Sequence, residues 1–269
     1  MAAPPPALIE GDGAPVVLVH GFALDGRMWA SQVAALRKDH LVIVPDVLGF
    51  GPAGPTSAVD PRATGEGVID AAADGLALLL DGLGIERAVV GGCSMGGYLA
   101  LAFLRRHPGR LLGLILVDTT AAADTDDFRR ARVAQAERVL AEGVGFLPEE
   151  LLPWFLGRTS RAVRPAVVET VTRLILEQDP RAIVAAHHAM AARPDSAPLL
   201  SGVAVPTLVV VGAEDTRFPP AGARAMATAI PGAKFVKIPY AGHLPSLELP
   251  DELDRALRKF LVEPGQTTP

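Results

Sequence analysis

Two hydrophobic periodicities alternate along this chain. Short, nearly continuous runs of valine, isoleucine and leucine predict buried strands over residues 16–19, 41–44, 88–90, 112–117, 207–211 and 234–238. Between these runs, apolar residues recur at helical spacing over residues 28–37, 67–83, 98–107, 221–230 and 251–261. Buried strands separated by helices predict a doubly wound α/β architecture, in which a mostly parallel sheet carries helices on both faces.

One long stretch interrupts this alternation. After the strand predicted at 112–117, helical periodicity continues to residue 206 with no strand pattern, and it predicts helices over 127–142, 148–156, 161–177 and 180–192. Ligands bind at the carboxyl ends of parallel strands, so we interpret 121–200 as a helical cap beside that edge. Residues 7–120 and 201–262 then form the α/β core. The terminal segments 1–6 and 263–269 are expected to be disordered.

Composition and charge exclude several classes of protein. The chain has 269 residues and a net charge of −5, with no basic region typical of nucleic-acid binding. It contains no uninterrupted apolar run of about 18 residues that would span a membrane. Its start lacks the pattern of a secretion signal, and the single cysteine, Cys93, cannot form an internal disulfide. We therefore expect a cytoplasmic protein, whose oligomeric state no residue pattern specifies.

Gly92-Cys93-Ser94-Met95-Gly96 lies between a predicted strand and a predicted helix. This context is typical of a nucleophile elbow, in which a serine occupies a strained turn and glycines let the strand approach the helix. We predict that Ser94 is a catalytic nucleophile. Cys93 occupies the variable position of the motif, so we expect a buried and inert thiol there.

A serine hydroxyl needs a general base, and the base needs a third group that orients it. His243 follows the last predicted strand and Asp215 follows the strand before it, so both lie at the predicted ligand-binding edge. The order Ser94, Asp215, His243 is the one expected for a serine hydrolase on such a sheet. Asp118, after the strand at 112–117, is the alternative acid. Glu214 is expected to point to solvent.

Acyl transfer also requires donors for the developing oxyanion. The backbone N–H of Met95 follows the nucleophile directly, and the N–H of Phe22 comes from the loop after the strand at 16–19. Loss of one such donor typically costs about 3 kcal/mol of transition-state stabilisation. His20, in the same loop, is expected to brace it by hydrogen bonds.

Three residues are candidates for contact with substrate. Trp29 and Trp154 could line an apolar pocket, and His187 shares a helical face with Ile183 and Met190. The alternative is that both tryptophans belong to the core and that His187 is a satisfied polar position on a helix. No second pair of ligands at metal spacing accompanies the histidines, and no dinucleotide or phosphate-loop motif occurs. We therefore expect neither a metal nor a cofactor.

Taken together, these motifs resemble the α/β-hydrolase fold superfamily. The landmarks that carry the resemblance occur in family order: His20-Gly21, Asp46-x-x-Gly49-x-Gly51, Gly92-x-Ser94-x-Gly96, Gly212-x-x-Asp215 and Gly242-His243. Within the superfamily, residues 22–29 and 94–97 are similar to 3-oxoadipate enol-lactonases and small carboxylesterases. The chain departs from that pattern at Pro52-Ala53-Gly54-Pro55, and the family's first pair of strands is short or missing ahead of Ala7.

The resemblance implies a serine hydrolase that cleaves a small carboxylic ester or lactone without a cofactor. A C–C bond hydrolase, an acyltransferase or a cofactor-free perhydrolase could use the same triad, and a ligand receptor of this fold is the non-enzymatic alternative. Epoxide hydrolases and haloalkane dehalogenases are disfavoured because they resemble this fold but carry aspartate where this chain has Ser94. The predicted cap also contains no tyrosine.

Overall fold

A computed structural model of the chain describes residues 3–54, 65 and 67–262. Within these residues one sheet of seven strands forms the centre of the molecule, in the order β1-β3-β2-β4-β5-β6-β7. The strands are β1 (Ala7–Glu10), β2 (Ala14–Val19), β3 (His40–Pro45), β4 (Ala88–Cys93), β5 (Leu111–Val117), β6 (Thr207–Gly212) and β7 (Lys234–Ile238). All neighbouring pairs are parallel except β1 and β3, which are antiparallel. The predicted doubly wound α/β class is confirmed.

The apolar composition of the strands follows from their position in the sheet. Every residue of β4, β5 and β6 is buried, because these strands lie inside the sheet and are covered on both faces. The edge strand β1 was not predicted, since its four residues, Ala-Leu-Ile-Glu, form too short a run and remain partly exposed. A single short strand therefore lies ahead of β2, beginning at Ala7.

Helices connect the strands and flank the sheet. Those of the core are α1 (Ala30–Leu36), α2 (Val68–Gly82), α3 (Met95–Arg106), α9 (Pro220–Ala229), α10 (Pro245–Glu248) and α11 (Pro250–Leu261). Helix α1 packs against α11, and α2 packs against α3. Helix α3 follows β4, α9 follows β6 and α10 follows β7, so the segments that precede these three helices leave the carboxyl ends of parallel strands.

Five further helices lie between β5 and β6: α4 (Asp126–Glu142), α5 (Leu147–Phe155), α6 (Arg158–Val163), α7 (Pro165–Leu176) and α8 (Pro180–Ala192). We call residues 121–200 the helical segment. Helix α4 packs on α8, while α5 and α6 pack on α7. The prediction of a single helix over 161–177 is wrong, because the segment is divided into α6 and α7 just before Pro165. Arg164 has φ −127° and ψ 66°, outside the helical region that a following proline disfavours.

The prediction that the chain has no membrane span agrees with the helices. In the part of the chain that the structure describes, none of them combines the length and the apolar composition needed to cross a bilayer. The tail predicted to be disordered, 263–269, and residues 1–2 lie outside the described residues.

Candidate active site

Ser94 lies on the turn between β4 and α3. Its φ of 54° and ψ of −111° are an uncommon conformation for a residue with a Cβ atom. Packing holds this turn in place, because a Cβ on Gly92 would overlap the backbone of Gly96, and a Cβ on Gly96 would overlap the carbonyl of Val19. The motif's glycines therefore let strand and helix approach closely, and the strained serine stands at the start of the helix.

His243 and Asp215 form a buried hydrogen-bonded pair. The His243 Nδ1 atom lies 2.8 Å from Asp215 Oδ2, and the two residues are 1% and 3% exposed. The other carboxylate oxygen of Asp215 accepts from the backbone N–H groups of Arg217 (2.7 Å) and Phe218 (3.0 Å). Burial acts to raise the pKa of Asp215, but the charge of His243 and these hydrogen bonds outweigh it, so the pKa lies below its usual value.

Asp118, the alternative acid, makes a different set of contacts. Its Oδ1 atom accepts from the N–H of Gly212 at 2.8 Å, and its carboxyl group also interacts with that of Asp215. Burial, followed by the charge of Asp215, raises the pKa of Asp118 well above its usual value. His243 is therefore hydrogen-bonded to Asp215, and Asp118 lies beside that pair.

Among the described residues, one acidic and histidine cluster has a composition that could hold a cation. Single ligand atoms of Asp118, Asp215 and His243 lie within 4.8 Å of one another. The 2.8 Å hydrogen bond between Asp215 and His243 already occupies the two atoms that join them. In this arrangement the carboxylate orients the imidazole and can stabilise its charged form.

Sequence reasoning did not find Glu248, a buried carboxylate that holds the loop of His243. Its Oε1 accepts from the N–H groups of Gly242 (2.8 Å) and Leu244 (3.1 Å), on either side of His243. Its Oε2 accepts from the N–H of Gly157 in the helical segment at 2.8 Å. A glutamate at the end of the short helix α10 has no sequence signal that separates this role from exposure to solvent.

The two predicted oxyanion donors are Phe22 and Met95. Met95 directly follows Ser94 in the chain, whereas Phe22 lies on another loop and lines the same cavity. Met95 is the first residue of α3, where a helix leaves its N–H groups without intrahelical acceptors. Phe22 follows the Gly21 carbonyl, which accepts from His20 Nδ1 at 2.9 Å. The Nε2 atom of His20 accepts from the N–H of Val47 at 3.0 Å. Burial lowers the pKa of His20, which keeps the neutral form that can accept this bond, so His20 braces the loop.

Ser94 and His243 open onto the same cavity, which has a volume of about 350 Å³. The α/β core contributes Phe22, Ser94, Tyr98, Arg217 and His243 to its lining. The helical segment contributes Phe128, Ala131, Arg132, Gln135, Glu150, Leu151, Trp154, Phe155, His187 and Met190. The helical segment therefore provides most of the residues around the space next to the serine.

Of the three residues predicted to contact substrate, two line the cavity and one lies in the core. Trp154 and His187 line the cavity, whereas Trp29 does not. Trp29 is 0% exposed and packs in the core at the end of a 3₁₀ turn, Gly26–Trp29, which corrects its prediction as a pocket residue. An aromatic residue near a loop at the ligand-binding edge is equally suited to the core, and the sequence alone does not separate the two.

His187 is buried, and both of its ring nitrogens lack a hydrogen-bond partner in the described part of the chain. Its ring centroid lies 4.5 Å from that of Phe22. Burial, together with the positive charges of Arg132 and Arg217, lowers the pKa of His187 to about 3. The cavity therefore contains a neutral imidazole with free hydrogen-bonding capacity.

The expectation that Glu214 points to solvent is wrong, whereas the expectation that Cys93 is buried is confirmed. The side chain of Glu214 is 13% exposed and accepts from the N–H (2.8 Å) and hydroxyl (2.6 Å) of Thr159. It lies beside Asp215 in sequence, and it connects that loop with the helical segment. Cys93 is fully buried, and burial raises the pKa of its thiol well above the usual value, as expected for an inert thiol.

Comparisons with known proteins agree with this fold. The family model described as alpha/beta hydrolase fold matches residues 14–250. A solved thermophilic esterase from Thermogutta terrifontis, with malate bound, is 41% identical and has a TM-score of 0.90, covering 98% of this chain and 94% of that chain. The enol-lactonase from Burkholderia xenovorans LB400 is 29% identical, with a TM-score of 0.85 and 96% of each chain covered. A protein of Azorhizobium caulinodans, named as a candidate carbamate hydrolase RutD, is 28% identical over 96% of this chain and 95% of its own length.

Proposed function

Because this chain belongs to the alpha/beta hydrolase fold family, we propose that it is a serine hydrolase that cleaves a carboxylic ester or lactone. One observation carries the proposal. Ser94, strained on the turn after β4, lines the same cavity as His243, whose Nδ1 lies 2.8 Å from Asp215. A nucleophile, a base and an orienting acid are the three parts that covalent acyl transfer requires.

The proposed reaction proceeds through an acyl-enzyme. His243 removes the proton of Ser94 as the serine oxygen attacks the substrate carbonyl, and the N–H groups of Phe22 and Met95 stabilise the oxyanion. Asp215 keeps His243 in the tautomer that accepts a proton and stabilises the imidazolium. His243 then gives the proton to the departing alcohol. A water molecule, activated in turn by His243, releases the acid from Ser94.

The remaining residues of the cavity suit a small, partly apolar substrate. Phe22, Trp154 and Phe155 supply aromatic surface, and the neutral His187 supplies a hydrogen-bonding group. The helical segment acts as the cap that closes over the bound acyl group. The similar esterase and enol-lactonase support an ester or lactone as substrate, and the malate bound to that esterase is compatible with a carboxylic acid product here.

A second candidate is favoured by one comparison. Similarity over 96% of this chain to a protein named as a candidate carbamate hydrolase supports cleavage of a carbamate. The same serine would attack a carbonyl that carries nitrogen in addition to oxygen. A phenyl carbamate and a phenyl ester with the same leaving group distinguish the two, since the better substrate is the one with the higher kcat/KM.

Labelling with a fluorophosphonate, followed by intact-mass measurement, tests the proposal. The wild-type protein should gain the mass of the probe and Ser94→Ala should not. Hydrolysis of a nitrophenyl ester should fall by on the order of 10⁶-fold in kcat in the same variant. If the wild type gains no mass, or if Ser94→Ala gains it as well, Ser94 is not the nucleophile.

A further inference from the structure

Two arginines share one aspartate beside the cavity. Asp124 forms ion pairs with Arg132 and, at 2.7 Å, with Arg193. The side chains of all three are at most 8% exposed. Arg193 also donates to the carbonyls of Met190 and Ala122, at 2.8 Å each. This cluster joins the two ends of the helical segment and keeps one positive charge in excess of its carboxylate.

Arg217 is a third arginine near this cluster, and it lines the cavity together with Arg132. Its guanidinium carbon lies 4.4 Å from the ring centroid of Phe128, and the residue is only partly exposed. Within residues 3–54, 65 and 67–262, no acidic side chain forms an ion pair with Arg217, and its guanidinium donates no hydrogen bond. Its backbone N–H is bonded to Asp215 at 2.7 Å, which fixes its position beside the triad acid.

The nearest negative charge, that of Asp124, is already paired with Arg132 and Arg193 and only partly offsets the positive charges around Arg217. Burial, followed by the charge of Arg132, lowers the pKa of Arg217, and the charge of Arg193 acts in the same direction. Among the described residues that line the cavity, Glu150 is the acidic one, and it is already bound by Arg138 and by Gln135. A guanidinium that lines the cavity without a protein partner is available to pair with an anionic ligand in place of water.

We propose that Arg217, supported by the charge of Arg132, binds a carboxylate group of the substrate. The substrate is then an ester or lactone that carries a second, free carboxylate. A guanidinium matches a carboxylate with two parallel N–H bonds, and the low polarity around it strengthens this pairing. This inference rests on the proposed function, since it names the substrate class of the same cavity.

Pairs of esters that differ only in charge test the proposal. On the acyl side, monomethyl adipate is compared with methyl hexanoate; on the alcohol side, the hexanoate ester of glycolic acid is compared with ethyl hexanoate. The wild-type protein should favour the anionic member of one pair by at least about tenfold in kcat/KM. The pair that responds identifies the side of the scissile bond on which the carboxylate lies.

Substitutions at Arg217 separate this role from a structural one. Arg217→Gln keeps the backbone bond to Asp215 and should lower the ratio of kcat/KM for the anionic ester over the neutral ester to about one, whatever its effect on either rate alone. Arg217→Lys, which keeps the charge, should restore part of the preference. The matched control is Arg224→Gln, because Arg224 also lies over a phenylalanine ring, 4.3 Å from Phe235, but does not line the cavity. This control should keep the wild-type preference.

Binding provides a readout that is independent of turnover. Calorimetric titration of adipate and glycolate into Ser94→Ala should show binding of one of them that weakens at least about tenfold when Arg217→Gln is added. If the neutral esters are hydrolysed but no anionic preference occurs, or if it survives Arg217→Gln, the carboxylate site is wrong and the proposed function stands. If neither charged nor neutral ester is hydrolysed and the fluorophosphonate does not label Ser94, the proposed function itself fails.

Discussion

Three carboxyl groups are buried near Ser94, and they differ in their hydrogen-bond partners. These differences favour different protonation states and different roles. Asp215 bonds to the imidazole of His243 and to two backbone N–H groups, all of which favour its charged form. Glu248 accepts three backbone N–H groups and holds the histidine loop. Asp118 has one such bond, and its burial beside the charge of Asp215 favours a carboxyl group that keeps its proton.

The two aspartates should therefore respond oppositely to removal of their charge. Asp215→Asn should lower kcat by about 10⁴-fold, because the amide holds His243 in the wrong tautomer. Asp118→Asn should retain most of the activity, since the amide resembles the protonated acid, keeps the acceptor for Gly212 and tolerates the φ of 43°. Hydrolysis rates of a nitrophenyl ester measure both. Comparable losses in the two variants would mean that Asp118 shares the role of triad acid.

The raised pKa of Asp118 also makes the stability of the fold depend on pH. A group whose pKa is raised on folding stabilises the folded state fully below its usual value, here 3.8, and loses this contribution as the pH approaches the raised value. In that window the free energy of unfolding of the wild type should fall by up to about 1.4 kcal/mol per pH unit relative to Asp118→Asn. Denaturant unfolding at several pH values measures both slopes. Equal slopes would show that Asp118 titrates alike in the folded and unfolded states.

At the scale of elements, the junction of β4 and α3 depends on the absence of side chains. A Cβ on Gly96 would overlap the carbonyls of Val19 and His20, which are backbone atoms that cannot move aside. Gly96→Ala should therefore lower the free energy of unfolding by about 3 kcal/mol or more and displace Ser94. Gly222, in α9, is the control, because its Cβ would meet open space. Gly222→Ala should stabilise the protein by about 0.5–1 kcal/mol. Denaturant unfolding of both variants checks the opposite signs.

Predictions from the sequence succeeded where one physical signal dominated. The buried strands were predictable because strands covered on both faces require continuous apolar runs, as in Leu111–Val117. The elbow was predictable because only glycine fits its close approaches. Strand β1 was missed because its four residues carry no such run, and the break at Pro165 was missed because the apolar period continues across it. The contacts of Glu248 and Arg217 depend on tertiary packing that no local pattern encodes.

At the scale of the whole molecule, the helical segment is hydrogen-bonded directly to the loops that contain Asp215 and His243. The Phe155 carbonyl accepts from the N–H of His243 at 3.2 Å, and Glu214 accepts from Thr159. On the other side, Gln178 donates to Asp25 at 2.8 Å. These bonds connect the walls of the cavity to the proposed catalytic residues. A shift of the helical segment would therefore disturb His243 and its neighbours as well as the pocket.

This coupling predicts that the helical segment and the sheet unfold together, although chains above about 150 residues often unfold in steps. The two tryptophans report on the two parts, since Trp29 is buried in the core and Trp154 lies on α5 with 47% exposure. In Trp154→Phe the fluorescence follows the core, and in Trp29→Phe it follows the helical segment. Within each variant, the fluorescence midpoint in denaturant should coincide with the midpoint from far-ultraviolet circular dichroism. Each variant serves as its own control, so a change in overall stability does not affect the comparison. An earlier fluorescence transition in Trp29→Phe would show instead that the helical segment opens while the sheet stays folded.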